Sequence, residues 1–236
     1  MVLLETTLGL GALALSIGYV GPYLLRRFAQ RRLRARARRR RVLVLTYDDG
    51  PSHLTEQVLQ LLHEFDVRAT FFMLGSRARA LEDLTGRVLS AGHEVGSHSE
   101  RHLHGWRSFP LRVLRDVADG LSTMRAISPD VCLHRPPHGK PTLWAWAAVA
   151  RQGCRHAWWT LDSGDTHQPL PAVETLVETL SREGGGVLLL HDLERTPERD
   201  AYVLEATRAV LHHAGEQGLT VLTYGELTAP VSPSIS

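Results

Sequence analysis

The sequence predicts an α/β fold, a (β/α) barrel of about seven parallel strands preceded by an N-terminal hydrophobic helix. Three observations carry that prediction. From Val42 onward, short apolar runs alternate with longer segments whose apolar residues recur at helical spacing, the pattern of strands joined by crossover helices. Gly92, Gly153, Gly184 and Gly218 stand at helix ends before the next strand, where a left-handed residue is wanted. Near the N-terminus, residues 6–25 (TTLGLGALALSIGYVGPYLL) carry no charge. A chain of 236 residues with 43% apolar composition can bury the core that such a barrel needs.

As a helix, the uncharged segment would be about 30 Å long and match a bilayer core. Glu5 precedes it and arginines follow, the reverse of the charge order in a cleavable signal peptide. Residues 1–25 therefore read as a retained, single-pass membrane anchor. Of the sixteen residues 26–41, ten are arginine. Phosphate neutralisation on a nucleic acid is one use for such a run, but Phe28 alone interleaves as a stacking aromatic, so no nucleic acid is expected. Contact with anionic headgroups beside the anchor suits it better. That makes 26–41 a juxtamembrane linker, and the positive-inside rule then places the following domain on the cytoplasmic side. From Val42 onward 17 Lys and Arg face 24 Asp and Glu, so the net +2 of the chain hides a globular part near −7.

The catalytic domain is expected at 42–227, with 228–236 a flexible tail. Strands are predicted at 42–46, 69–74, 93–98, 130–135, 156–161, 186–191 and 219–224, and helices at 55–65, 81–91, 111–127, 143–152, 173–181 and 203–215. Seven such units favour a barrel, complete or incomplete, over an open sheet. Cys132 and Cys154 are too few for a disulfide framework, lack the spacing of a structural zinc site, and read as buried thiols.

In a parallel barrel the strand C-termini share one face, and active sites form there. Asp48 and Asp49 end the first strand, and His98 and His102 follow the third. Arg135 ends the fourth, Asp162 and Asp165 follow the fifth, and His191 with Asp192 ends the sixth. Two imidazoles and one carboxylate make a three-ligand site with positions left for water and a substrate oxygen, and Asp49, His98 and His102 can supply it. A carboxylate bound to a cation loses basicity, so an unbound neighbour must take the proton from the attacking water. Gly50-Pro51 supplies the turn that lets adjacent side chains diverge. The plainer alternative makes Asp48 a helix cap, but Ser52 and Thr55 already stand in capping positions.

With these residues in view, the chain resembles the polysaccharide deacetylase family, the carbohydrate esterases that include chitin and peptidoglycan deacetylases. TYDDGP, HSERH, RPPHG, DSGDT and LLLH are similar to five of its motifs, in order, between Val42 and Tyr224. The resemblance implies a distorted barrel of seven strands and hydrolysis of the N-acetyl group of an amino sugar in a poly-, oligo- or lipid-linked saccharide. It implies Asp48 as base, with Asp49, His98 and His102 holding one divalent metal. Zinc comes first, and cobalt, nickel or iron also suit the donors. By the same likeness Arg135 orients the base, His191 is the general acid and Asp165 joins the catalytic set. Contacts to substrate and oxyanion fall to His138, Leu189 and Asp162.

Two positions depart from the family pattern. His138 stands where a tyrosine is usual and Thr166 where a tryptophan is, so the groove wall is smaller or more polar and the substrate is left open. Two other functions remain in play: removal of another acyl group, such as formyl, from a lipid-linked sugar at the cytoplasmic membrane face, and a non-catalytic, membrane-tethered carbohydrate-binding module. A retained base and acid argue against the second, since binding alone needs neither.

Overall fold

The computed structural model describes residues 16–230. Strands β1 (Val42–Asp48), β2 (Thr70–Met73), β3 (Glu94–Ser97), β4 (Leu133–His134), β5 (Arg155–His156), β6 (Leu161–Asp162) and β7 (Gly186–His191) lie in the order β5-β4-β3-β2-β1-β7-β6. A short β8 (Thr220–Val221) pairs with the first two residues of β1, and every pairing is parallel. The ends of this path, β5 and β6, are not paired with each other, so the sheet curls as an incomplete barrel. The single strand expected at 156–161 is thus two edge fragments, with 157–160 crossing the opening between them. Its apolar run comes from burial of Ala157 and Trp158 in the inner core, which hydrophobicity alone does not distinguish from strand pairing.

Nine α-helices surround the sheet: α1 (Gly21–Arg40), α2 (His53–Glu64), α3 (Gly75–Ala80), α4 (Glu82–Ser90), α5 (Pro110–Ile127), α6 (Leu143–Arg151), α7 (Val173–Glu183), α8 (Pro197–Gln217) and α9 (Tyr224–Thr228), counted among the described residues. The helix expected at 203 begins at Pro197. Thr196 accepts the Arg199 N–H as its cap, and proline at the first helical position lacks only an N–H that would go unpaired there.

Alternation along β1 builds two cores. Leu43, Leu45 and Tyr47 face outward to Val58 and Leu62 of α2 and Val203, Ala206 and Val210 of α8. Val42 and Val44 face inward to Phe72, Leu133, Val187 and Trp158, and to Leu33 and Ala37 of α1. The next inward positions are Thr46 and Asp48. One strand face therefore runs from apolar floor to catalytic carboxylate.

The N-terminal region requires a correction. Among the described residues no helix is long and apolar enough to cross a membrane, so neither the single-pass anchor nor the orientation drawn from it stands. Residues 1–15 of the expected segment lie outside the described residues. Ser16–Val20 is a π-helical turn that leads into α1, and the arginines begin inside that same helix. Gly18 and Pro22 are buried, and Tyr19 meets Trp106 and Trp144 edge-on. Polar side chains of α1 donate to backbone carbonyls of the domain: Gln30 to Trp159 at 2.8 Å, Arg34 to Thr160 at 3.1 Å, and Arg40 to Glu226 and Leu227 at 3.2 and 3.1 Å. The last two belong to α9, whose final carbonyls have no partner within their own helix. Much of the arginine run thus binds the fold itself. Of the two cysteines, only Cys154 is buried; Cys132 is exposed.

Candidate active site

The inner face of β1 delivers the first carboxylate. Arg135, fully buried, donates from Nη1 to Thr46 Oγ1 at 2.7 Å and to Asp48 Oδ1 at 2.8 Å, and its guanidinium lies 4.1 Å over the Phe72 ring. Removing either member of such a buried pair strands the other charge. Asp49 then leaves the strand with a φ of 75°, a left-handed conformation that Asp adopts more readily than most residues. The neighbours diverge, Asp48 toward Arg135 and Asp49 toward His98 and His102.

Asp192 fastens this turn. Its carboxylate accepts the Gly50 N–H at 3.1 Å and the Thr55 hydroxyl at 2.6 Å, while its carbonyl accepts the Ser52 hydroxyl at 2.6 Å. A Cβ on Gly50 would collide with that carboxylate, so only glycine lets the backbone this close. Ser52 and Thr55 form the capping box of α2, which confirms them as the caps. Burial pushes the Asp192 carboxyl up to about 7; Thr55 opposes the rise, and Asp49 and Asp48 add to it.

His98 Nδ1 lies 2.8 Å from the Arg135 carbonyl oxygen, which can only accept. That nitrogen therefore carries the proton, and Nε2 turns its lone pair toward Asp49. Asp49 Oδ1 stands 3.3 Å from His98 Nε2 and 3.1 Å from His102 Nε2, yet it is buried without a formed hydrogen bond. A buried carboxylate oxygen facing imidazole nitrogens in this way suits a cation. The three residues offer ligand atoms within 4.8 Å of one another, a donor set that fits a divalent metal. Burial pushes the Asp49 carboxyl up, but His102 and His98 pull harder the other way and hold it well below the ordinary carboxylate range.

His191 ends β7 as the register partner of Asp48. Its Nδ1 is 2.9 Å from Asp165 Oδ1, and its backbone N–H donates to Asp165 Oδ2 at 2.7 Å. Burial pushes this imidazole down, but the Asp165 hydrogen bond and charge, aided by Asp48 and Asp49, raise it to about 9. Those neighbours favour its protonated form, and with Nδ1 engaged, Nε2 is left to serve the pocket.

A pocket of about 340 Å³ gathers Asp48, Asp49, His98, His102 and His191, walled by His138, Leu189, Asp162 and Thr166. Arg135 and Asp165 stand behind it. His138 is exposed on the turn Pro137–Gly139, with its ring 4.5 Å from that of His102 and 4.7 Å from that of His104. Of the neighbouring indoles, Trp158 is core and Trp159 lines the pocket. Arg195 also lines it and donates from Nη2 to Asp49 Oδ2 at 3.0 Å. No spacing in the sequence reveals Arg195; its position four residues after His191 is the only hint.

Fold and site together define a parallel half-barrel with a carboxylate and imidazole centre at its strand ends. The polysaccharide deacetylase profile matches residues 35–157, just over half of the chain. The chain is 29% identical over 190 residues to a peptidoglycan-N-acetylglucosamine deacetylase of Bacillus cereus, covering 79% of this chain and 88% of that one. It is 30% identical over 156 residues to a chitooligosaccharide deacetylase of Rhizobium leguminosarum bv. trifolii, covering 64% and 72% respectively. Among solved structures, peptidoglycan deacetylase PdaC from Bacillus subtilis is 28% identical and superposes with a TM-score of 0.66 over 79% of this chain and 89% of that one. The chain belongs to the polysaccharide deacetylase family. Its named relatives are hydrolases that act on carbon–nitrogen bonds.

Proposed function

We propose that this protein hydrolyses the N-acetyl amide of an amino sugar within a saccharide. The observation that carries this is a base and an acid, Asp48 and His191, set side by side on β1 and β7 and each locked by its own partner, Arg135 and Asp165. Binding alone would need neither lock. Asp49, His98 and His102 are the residues that would hold a divalent metal, zinc first among zinc, cobalt, nickel and iron. When bound, the metal supplies Lewis-acid polarisation and a water of lowered pKa.

The protein's own groups do the rest. Asp48, held by Arg135, takes a proton from the attacking water. His191 gives a proton to the departing amine, and Asp165 keeps its ring oriented and charged. Pro136 and Pro137 have no N–H, so the His138 backbone offers the first donor in that loop, which we assign to the oxyanion. Leu189 walls the acetyl methyl, and Asp162 stands at the rim within reach of sugar hydroxyls.

The relatives named for peptidoglycan and for chitooligosaccharides support an N-acetylated saccharide as substrate. The fold by itself does not carry the activity: a pseudoenzyme from Bacillus anthracis, 22% identical, shares it with a TM-score of 0.67. The test is acetate release from N-acetylated oligosaccharides, before and after chelation and with divalent metal restored. Release that chelator abolishes and metal restores is expected. No release from any N-acetylated saccharide by the metal-loaded protein would sink the proposal.

A further inference from the structure

A second groove, of about 290 Å³, lies beside the catalytic pocket with α1 as one wall. Trp159 and Asp162 line both spaces, so the two meet there. Four arginines of α1 reach this groove, and two are already engaged. Arg26 donates to the Gly139 carbonyl and lies 4.7 Å over the Trp159 ring, and Arg34 holds the Thr160 carbonyl and pairs with Glu183 at 3.6 Å. Arg27 and Arg31 differ. Both are exposed, and among the described residues neither takes part in an ion pair.

Arg27 and Arg31 are four residues apart on one helix, so their like charges face each other and repel unless an anion lies between them. The one carboxylate lining the groove, Asp162, lies at its junction with the catalytic pocket, where its Oδ1 accepts the Gly164 N–H at 3.0 Å. Guanidinium forks match carboxylate and phosphate geometry. Residues 26–34 also precede the stretch matched by the family profile, so no family motif accounts for these arginines.

We propose that Arg27 and Arg31 bind an anionic substituent, carboxylate or phosphate, carried by the saccharide next to the sugar that loses its acetyl group. This rests on the deacetylase function proposed above, and it names a substrate class for that pocket: acidic glycans in preference to neutral ones.

The test is calorimetric binding to the full chain, run beside acetate release. Three probes suffice: neutral chitotetraose, a peptide-free tetrasaccharide alternating N-acetylglucosamine with N-acetylmuramic acid, and chitobiose bearing a glycosidic diphosphate. At least one acidic probe should bind about tenfold more tightly than chitotetraose, with the advantage shrinking as salt rises. The probe that gains identifies carboxylate or phosphate. Arg27→Glu with Arg31→Glu should abolish the preference, and Arg27→Gln with Arg31→Gln should weaken it, while both leave affinity for chitotetraose within about twofold. Equal binding of all probes by the parent protein, or a preference that survives charge reversal, would overturn the proposal. Acetate released without a charge preference would remove the groove and leave the deacetylase; a charge preference with no acetate released from any probe would remove the deacetylase instead.

Discussion

Neither Arg135 nor Asp165 lines the catalytic pocket, yet each holds a residue that does. Because His191 is raised to about 9, it loses its proton only as pH climbs through that value. Asp165→Asn removes the strongest upward influence, so the alkaline limb of kcat should move down by about one pH unit or more. A metal at Asp49 adds positive charge nearby and lowers the limb in parent and variant alike, so the comparison is made at one metal loading. An unmoved limb would remove His191 as the acid. Arg195 invites a different measurement, since its guanidinium shares Asp49 with any bound cation. Arg195→Ala should tighten metal binding by about tenfold in competition with a chromogenic chelator, because one cation no longer opposes the other. Unchanged or weaker binding would show that Arg195 does not compete. The motif residues were legible in the sequence because each sits at or just after a strand end, where local pattern and function coincide. Arg195 was not, since it reaches the site from an irregular loop whose path depends on tertiary packing.

At the scale of the element, α1 departs furthest from its sequence. Charge dominates its composition, and the face that docks is carried by Leu33 and Ala37 with the half-buried Ala29. So narrow a stripe is easily missed among arginines, and a helix made of them reads as solvated or membrane-facing. Leu33→Ala should destabilise the protein by roughly 2–4 kcal/mol, as for other buried leucines. Arg39→Ala, at an exposed position, should change stability by less than about 0.5 kcal/mol. Thermal or urea unfolding separates the two, and equal, negligible effects would mean that α1 is a mere linker. Helices α2 and α4 to α8 were legible because each buries one periodic face, with α8 starting six residues early; α3 and α9, of six and five residues, are too short to show a period and were not predicted. The division of the fifth strand was not, because a buried crossing and a buried strand carry the same apolar signature.

Across the whole molecule, gathering strand ends on one rim concentrates groups whose titration changes stability in different pH ranges. Asp192, raised to about 7, is favoured in its neutral form by the fold, so its ionisation removes stability as pH rises from about 4 to 7. His191 contributes stability that is complete below its ordinary 6.5 and is lost as pH rises through about 9. Asp49, depressed, contributes stability above the ordinary carboxylate range and loses it only in acid. In chelator, the melting temperature should therefore fall from pH 6.5 to 9, and His191→Gln should flatten that decline. A flat or rising profile in the parent protein would contradict the charge assignments. The central claim is the division of labour between adjacent carboxylates, and one paired measurement tests it: metal content and acetate release for Asp48→Asn and Asp49→Asn. Asp48→Asn, which keeps an acceptor for Arg135, should retain its metal while acetate release falls by about 10²–10⁴-fold. Asp49→Asn should lose the metal and the activity together. Parental turnover in Asp48→Asn, or full metal occupancy in Asp49→Asn, would contradict it.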